Sequence, residues 1–211
     1  MNILPEISVN SNHLEEIYKD LHSHPELGFE EERTSKIVQE KLKEYGVDEI
    51  HTEIGKTGVV GIIRGNDGGG NRRIGLRADM DALPIQEDTG LSYASKVDGK
   101  MHACGHDAHT TMLLGAAKYL AKTRNFSGTA ILIFQPAEEG QGGATKMLDD
   151  GLFKKFPCDE IYGIHNDPNG KNGEIGICKG KAMAGAAIFD INIDGIGSHA
   201  AMPHQSKDPI I

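Results

Sequence analysis

The feature that most constrains the fold of this chain is a continuous apolar run, Ala130 to Phe134, that ends at Gln135-Pro136. A strand with one solvated face alternates apolar and polar residues, whereas a run that is apolar at every position is typical of a strand covered on both faces. Helices or other layers must then lie on both sides of its sheet. Neighbouring strands are predicted at residues 58–63, 73–77 and 160–164.

Segments with helical periodicity alternate with these strands. They are predicted around residues 14–21, 37–45, 110–120 and 144–150. Helices that alternate with apolar strands indicate an α/β sandwich on a largely parallel sheet. Further strands are predicted at residues 174–177 and 187–194. Because the character of the chain changes after Cys178, we place a domain boundary near residue 180, with one domain at 1–180 and the beginning of a second at 181–211.

Composition and charge exclude several classes of protein. The 211 residues carry a formal net charge of −9, and 38% of them are hydrophobic, which is typical of a folded globular protein. No stretch approaches the roughly 18 to 20 apolar residues of a membrane span, and the first residues lack the basic and apolar regions of a secretory signal. The acidic balance, without a basic cluster, argues against nucleic acid. Three irregularly spaced cysteines do not form a disulfide framework, which favours a reducing cytoplasm.

The segment from Met101 to His109 holds the densest set of metal-ligand side chains. Cys104 and His106 are two positions apart, so on an extended loop both could face one ion. Thiolate and imidazole suit zinc, and also cobalt, nickel or manganese when carboxylates complete the shell. Taken alone, such a pair is more often structural or accidental than a metal site, since buried cysteines are common. Four donors within six residues, directly before a helix, favour the metal site.

Carboxylates and a histidine follow three of the predicted strands. Glu138 and Glu139 can divide the work of metal ligand and general base, or they can be an ordinary charged turn. Asp79 and Asp81 can bind a cation directly or orient a ligand histidine. His165 is either a ligand or a hydrogen-bonded structural residue. The carboxyl ends of strands in open α/β sheets gather ligands, so these groups are expected to converge at one edge of the sheet.

Five motifs of the chain match, in order, those of a known family. They are Asp20–Leu27, Arg77–Ile85, Met101–Asp107, Phe134–Gly140 and Ser198–His204. Through them the sequence resembles the amidohydrolase branch of the metallopeptidases related to aminoacylase and carboxypeptidase G. Members of this branch include hippurate hydrolases, N-acyl-amino-acid amidohydrolases and plant auxin-conjugate hydrolases.

The resemblance implies a fold and a dinuclear metal site. The fold is a phosphorylase/hydrolase-like three-layer α/β/α catalytic domain with an inserted α+β lid domain that forms a homodimer. The implied ligands of two divalent ions (Zn, Mn, Co or Ni) are Cys104, His106, Glu139 and His165.

The resemblance also implies a reaction, the hydrolysis of N-acyl amino acids by a metal-activated water. Glu138 is the implied general base, and Asp79 or Asp81 supports catalysis. His199 is implied to reach the active site from the lid, in some relatives that of the partner subunit, and to stabilise the oxyanion.

Two alternatives stay open at this point. Family members continue for about as long again and supply a last histidine ligand, so the chain is expected to be a fragment or a truncated product with poor activity. In that case it could be a non-catalytic remnant that binds only metal or a partner chain. In the other alternative Cys104 is a nucleophile with His106 or His109 as its base, which would leave the two glutamates without a role.

Overall fold

The apolar run from Ala130 to Phe134 forms the central strand of the five-stranded sheet. The structure is a computed structural model that describes residues 4–66, 70–183, 185, 187 and 189–210. The strand order is β1-β2-β4-β3-β5. The strands are β1 (Glu49–Ile54), β2 (Gly58–Arg64), β3 (Arg73–Asp79), β4 (Thr129–Gln135) and β5 (Glu160–Gly163).

The sheet is mixed, so the expectation of a largely parallel sheet was wrong. Strand β3 runs parallel to both β4 and β5, whereas β2 runs antiparallel to both β1 and β4. The physical reason is local. The short turn of residues 55–57 joins β1 directly to β2, and a connection this short permits only an antiparallel pair. Strand β1 was not predicted.

Helices cover the sheet on both faces, as the three-layer prediction requires. They are α1 (Pro5–Ser8), α2 (Ser11–Ser23), α3 (Glu32–Glu44), α4 (His106–Thr123), α5 (Gly143–Asp149) and α6 (Leu152–Lys155). Side chains of α2, α3 and α4 pack with Leu132 and Phe134 of β4, while α5 and α6 pack with Ile131 and Ile133. Successive residues of one strand therefore belong to two cores.

The chain divides into two compact units, Met1–Gly170 and Lys171–Ile211, and the predicted boundary near residue 180 lies within the second. In that unit an isolated bridge joins Ile196 to Lys207, and a 3₁₀ helix spans Pro203–Gln205. The strands predicted at 174–177 and 187–194 do not form in the described residues, and Ile188 lies outside them. Neither segment has a paired neighbour there, and Phe189 is 79% exposed. Among the described residues, no helix combines the length and the apolar character of a membrane span.

Candidate metal centre

The polar segments that follow β3, β4 and β5 lie at one edge of the sheet, as predicted. Because β3 pairs in parallel with both neighbours, Asp79 lies beside Gln135 of β4, and Arg77 lies beside Gly163 of β5. The connection from β3 to β4 passes over one face through α4, and the connection from β4 to β5 passes over the other through α5 and α6. A crevice opens at such a reversal, beyond the carboxyl ends of the strands.

His106 is the centre of this edge. It is the first residue of α4, and its side chain is fully buried. Its Nδ1 lies 3.2 Å from Oδ1 of Asp81, which accepts the Nδ1–H and leaves the lone pair on Nε2. That Nε2 atom is buried and has no hydrogen-bond partner in the described part of the chain. A buried acceptor without a donor is costly, and a cation would satisfy it.

Three carboxylates face Nε2 of His106. Oδ2 of Asp79 lies 3.6 Å away, Oε1 of Glu139 lies 3.8 Å away and Oε2 of Glu138 lies 4.0 Å away. Burial alone would lower the pKa of His106, but the hydrogen bond to Asp81 and the negative charges of Asp79 and Glu139 raise it. Donor atoms that bind one ion at about 2.1 Å are separated from each other by roughly 3 to 4 Å. The spacing around Nε2 therefore suits a metal ion.

A thiol and a second imidazole complete the cluster. Sγ of Cys104 lies 3.5 Å from Nε2 of His165, and donor atoms of these two residues and of His106 lie within 4.8 Å of one another. Glu138 and Glu139 form a second such group with His106. The four residues predicted as ligands are thus brought together, and His106 is common to both groups.

The segment between Cys104 and His106 is not the extended loop that the sequence indicated. Helix α4 begins at His106, four residues before the predicted start near Thr110. Gly105 has a φ of +91°, in the left-handed region that glycine adopts without steric cost. A Cβ at this position would lie 2.5 Å from the side chain of Asn166. The two donors converge because the chain turns sharply at this glycine.

Asp79 begins a chain of hydrogen bonds that leads to the loop of His165. Its Oδ1 lies 2.6 Å from Nδ1 of His109, and its Oδ2 accepts a bond of 2.7 Å from Arg77. Burial alone would raise the pKa of Asp79, but His109 and Arg77 bring it to about 2. Nε2 of His109 contacts Oδ1 of Asn166 at 2.7 Å. The sequence indicated neither Asn166 nor this chain, although His109 follows His106 by one helical turn.

Asp81 supports both the histidine and the two glutamates. Besides contacting His106, it accepts hydrogen bonds from the backbone N–H groups of Glu138, at 2.9 Å, and Glu139, at 3.0 Å. Burial alone would raise the pKa of Asp81, but these bonds lower it. The sequence left open whether Asp81 binds a cation directly or orients a ligand histidine, and its contact with His106 corresponds to the second role.

The environment of Cys104 does not favour a nucleophilic thiolate. Burial, together with the neighbouring Glu139, raises the pKa of this thiol to about 12. The imidazole in contact with Sγ is that of His165, rather than the His106 or His109 considered as a base. A thiol held in this way is deprotonated most readily when a metal ion binds its sulfur and the proton is released to water.

His199 belongs to the second unit, Lys171–Ile211. Its side chain is exposed, and its Nδ1 accepts a hydrogen bond of 3.1 Å from the N–H of Ala201. Its predicted approach to the metal centre stays a prediction.

A further buried polar group was missed by the sequence analysis. Oδ2 of Asp107 lies 2.7 Å from Nδ1 of His22, whose Nε2 contacts the carboxylate of Glu87 at 3.2 Å. These contacts hold α2 and the loop after β3 against the first turn of α4. Both His22 and Asp107 lie in the motifs quoted above, but only the fold shows that they are partners.

Comparisons with known proteins identify the family of the chain. The sequence profile described as Peptidase family M20/M25/M40 matches residues 75–210. A hippurate hydrolase of Campylobacter jejuni is 52% identical over 210 residues, covering 100% of this chain and 54% of that protein. An N-acetylcysteine deacetylase of Bacillus subtilis is 46% identical over 193 residues, covering 91% of this chain and 50% of that protein.

A solved structure shares the fold. A dinuclear metal binding peptidase from the M20 family of Bacillus subtilis superposes with a TM-score of 0.71 and 44% sequence identity, over 77% of this chain and 45% of that one. The chain spans about half the length of the curated relatives it matches.

Proposed function

The chain belongs to peptidase family M20/M25/M40, and from this we propose that it forms the metal-binding part of an enzyme that hydrolyses the amide bond of N-acyl amino acids. Hippurate and N-acetylcysteine, which the names of two relatives contain, are both N-acyl amino acids. We extend that substrate class to this chain, together with a cytoplasmic location and a homodimer formed through the second domain.

The observation that carries the proposal is the buried, unpartnered Nε2 of His106. It faces carboxylates, and a thiol and a second imidazole lie close by. We assign Cys104, His106, Glu139 and His165 as the ligands of two divalent ions, of which zinc, manganese, cobalt and nickel suit this donor set. Such ions, when bound, polarise a carbonyl oxygen and lower the pKa of water.

Glu138 is assigned as the general base and acid. Its side chain is 42% exposed, against 29% for Glu139, so it is the more accessible of the two to water and substrate in the crevice. Its carboxylate accepts a proton from the attacking water and passes it to the leaving amine. Asp81 holds the N–H of Glu138 and keeps the proton of His106 on Nδ1, so that Nε2 stays free.

Two neighbouring substitutions test this division of labour in the protein that carries this sequence. Glu138→Gln should lower hippurate hydrolysis by about 10²- to 10⁴-fold, because it removes the base, and should retain metal. Glu139→Gln, the matched control one residue away, should instead lower the metal content. Turnover and bound metal are measured on the same samples, the metal by elemental analysis.

Equal loss of metal in the two variants would contradict the assigned roles. Tight metal binding without hydrolysis of any N-acyl amino acid by the unmodified protein would favour the non-catalytic alternative.

A further inference from the structure

Three consecutive backbone N–H groups of the loop after β4 are held by two buried carboxylates. Asp81 accepts those of Glu138 and Glu139, as described above. The N–H of Ala137 is bound by Oε1 of Glu31 at 2.8 Å, from 106 positions earlier in the chain. Glu31 is 0% exposed. The carboxylates of Glu31 and Asp81 therefore fix the backbone segment that carries Glu138 and Glu139.

Glu31 connects three segments that are distant in sequence. It precedes the first residue of α3, and its Oε2 accepts a hydrogen bond of 2.6 Å from the hydroxyl of Thr57, in the turn between β1 and β2. Its Oε1 accepts the N–H of Ala137, so one carboxylate connects the turn between β1 and β2 to the loop after β4. The glutamate side chain is long enough for both bonds to form together.

The loop needs such support because its conformation is unfavourable and crowded. Ala137 has a φ of +48°, in the left-handed region that residues other than glycine rarely adopt, and it is fully buried. A Cβ at Gly28 would lie 3.0 Å from the Cβ of Ala137, and a Cβ at Gly143 would lie 1.7 Å from the carbonyl oxygen of Pro136. A strained backbone of this kind persists only where its neighbours over-determine it.

We propose that Glu31 is a positioning residue for the metal centre. By holding the N–H of Ala137, it fixes the peptide plane that precedes Glu138 and Glu139. Rotation of that plane would turn both side chains away from Nε2 of His106, which they approach to 4.0 Å and 3.8 Å. The inference rests on the proposed function, because it assigns Glu31 an effect on ligands that are themselves proposed.

The two oxygens of the Glu31 carboxylate have different partners, so the bond to Thr57 can be removed as a control for the bond to Ala137. Thr57→Val removes the bond at Oε2 and leaves the one at Ala137, so it reports the contribution of Glu31 to general stability. Glu31→Asp keeps the charge but shortens the side chain by one methylene, so it cannot reach both partners. Glu31→Gln keeps the length, and its carbonyl oxygen can still accept the N–H of Ala137 while its amide donates to Thr57.

The experiment measures cobalt(II) affinity, by titration against a chelator, and amide hydrogen exchange of the peptide that covers residues 136–142. Glu31→Asp should weaken cobalt binding by about 10- to 100-fold, the usual effect of losing a group that supports a ligand. Its 136–142 peptide should exchange faster in the metal-free protein, while the peptide that covers β4 stays protected. Glu31→Gln and Thr57→Val should keep the affinity within about twofold.

Unchanged cobalt affinity and exchange in Glu31→Asp would overturn the inference, and so would a loss in Thr57→Val equal to that in Glu31→Asp. If Glu31→Asp does not fold, the other two variants decide. Glu31→Gln and Thr57→Val must then both keep the cobalt affinity and the slow amide exchange of residues 136–142. A loss of either property in either variant refutes the proposal. Failure of the unmodified protein to bind cobalt would instead refute the proposed function, while exchange would still test the hold of Glu31 on the loop.

Discussion

At the scale of single residues, the thiol of Cys104 gives a direct test of the centre. We expect a thiol reagent to modify Cys104 slowly in the metal-loaded protein, because a coordinated thiolate is blocked. Removal of the metal by a chelator should speed the reaction. Mass spectrometry of the labelled peptides measures the rate at each cysteine.

Cys158 and Cys178 are internal controls for this labelling. Cys178 is exposed, and burial raises the pKa of Cys158, so their rates should differ from each other but should not depend on metal. Labelling of Cys104 at one rate with and without metal would show that it is not a ligand.

Residue types and their spacing predicted which side chains would meet, but not how they are held. Cys104, His106 and the pair Glu138 and Glu139 could be identified as candidates because each lies in a short polar segment next to an element boundary, whereas the choice of Glu139 as ligand came from the family resemblance. Glu31 could not, because it stands in a run of three glutamates that looks like the ordinary acidic start of a helix. Its partner is more than a hundred residues away, and only the folded sheet brings the two together.

At the scale of elements, Tyr45 links the three helices on one face of the sheet. It follows the last residue of α3, its hydroxyl contacts Nε2 of His13 on α2 at 2.9 Å, and Nζ of Lys118 on α4 lies 5.3 Å from its ring centre. Tyr45→Phe removes the hydrogen bond and should lower the free energy of unfolding by about 1 kcal/mol at neutral pH. Denaturant unfolding measures the change. His13→Ala should not add fully to it, since the two substitutions remove one shared contact.

The same tyrosine predicts a change at alkaline pH. Burial raises the pKa of Tyr45 to about 12, so the folded state keeps the phenol protonated where the unfolded chain ionises, above about 10. A raised pKa of this kind gives stability that is present below pH 10 and lost as the pH rises through 12. The Tyr45→Phe variant has no phenol to ionise and so does not lose this stability. The difference in free energy of unfolding between it and the unmodified protein should therefore shrink between pH 10 and pH 12. A constant difference between the two proteins from pH 9 to 12 would contradict the assignment.

Elements were predictable where the pattern was strong and local. Strands β2 and β4 are apolar on both faces, and their positions agree with the prediction to within about two residues. Strand β1, with the sequence Glu-Ile-His-Thr-Glu-Ile, has four polar residues among its six and lies at an edge of the sheet, so its sequence did not distinguish it from a loop. The early start of α4 depends on the left-handed turn at Gly105, which the identity of the residue permits but does not require.

At the scale of the whole chain, β5 presents an edge with no pairing strand among the residues that the structure describes. Ile161 and Tyr162 of β5 are 45% and 55% exposed, and Ile164, which directly follows the strand, is 47% exposed. An apolar edge with free backbone groups promotes association with other chains. We therefore expect the 211-residue polypeptide, prepared alone, to self-associate at micromolar concentration in sedimentation velocity.

Replacing Ile161 and Ile164 with lysine should reduce that association, since charged side chains at an edge oppose strand pairing. Val9→Lys is the control, because Val9 is an exposed apolar residue, 78% accessible, that lies beside α1 and not on the sheet. Equal effects of the control and the edge substitutions would mean that general charge, and not the β5 edge, governs the association.

The strand order also has a consequence for the course of folding. The pair β1-β2 closes across a short turn, a process of microseconds, whereas β3 can meet β4 and β5 only after long crossovers through α4 and through α5 and α6. Contacts between distant segments form slowly, because the entropy of closing the loop is lost before the contact compensates for it. The proposed ligands follow β4 and β5, which pair with β3 late in folding, or lie at the start of α4. A metal would therefore find no assembled centre until folding is nearly complete, and its binding would slow unfolding more than it would speed folding.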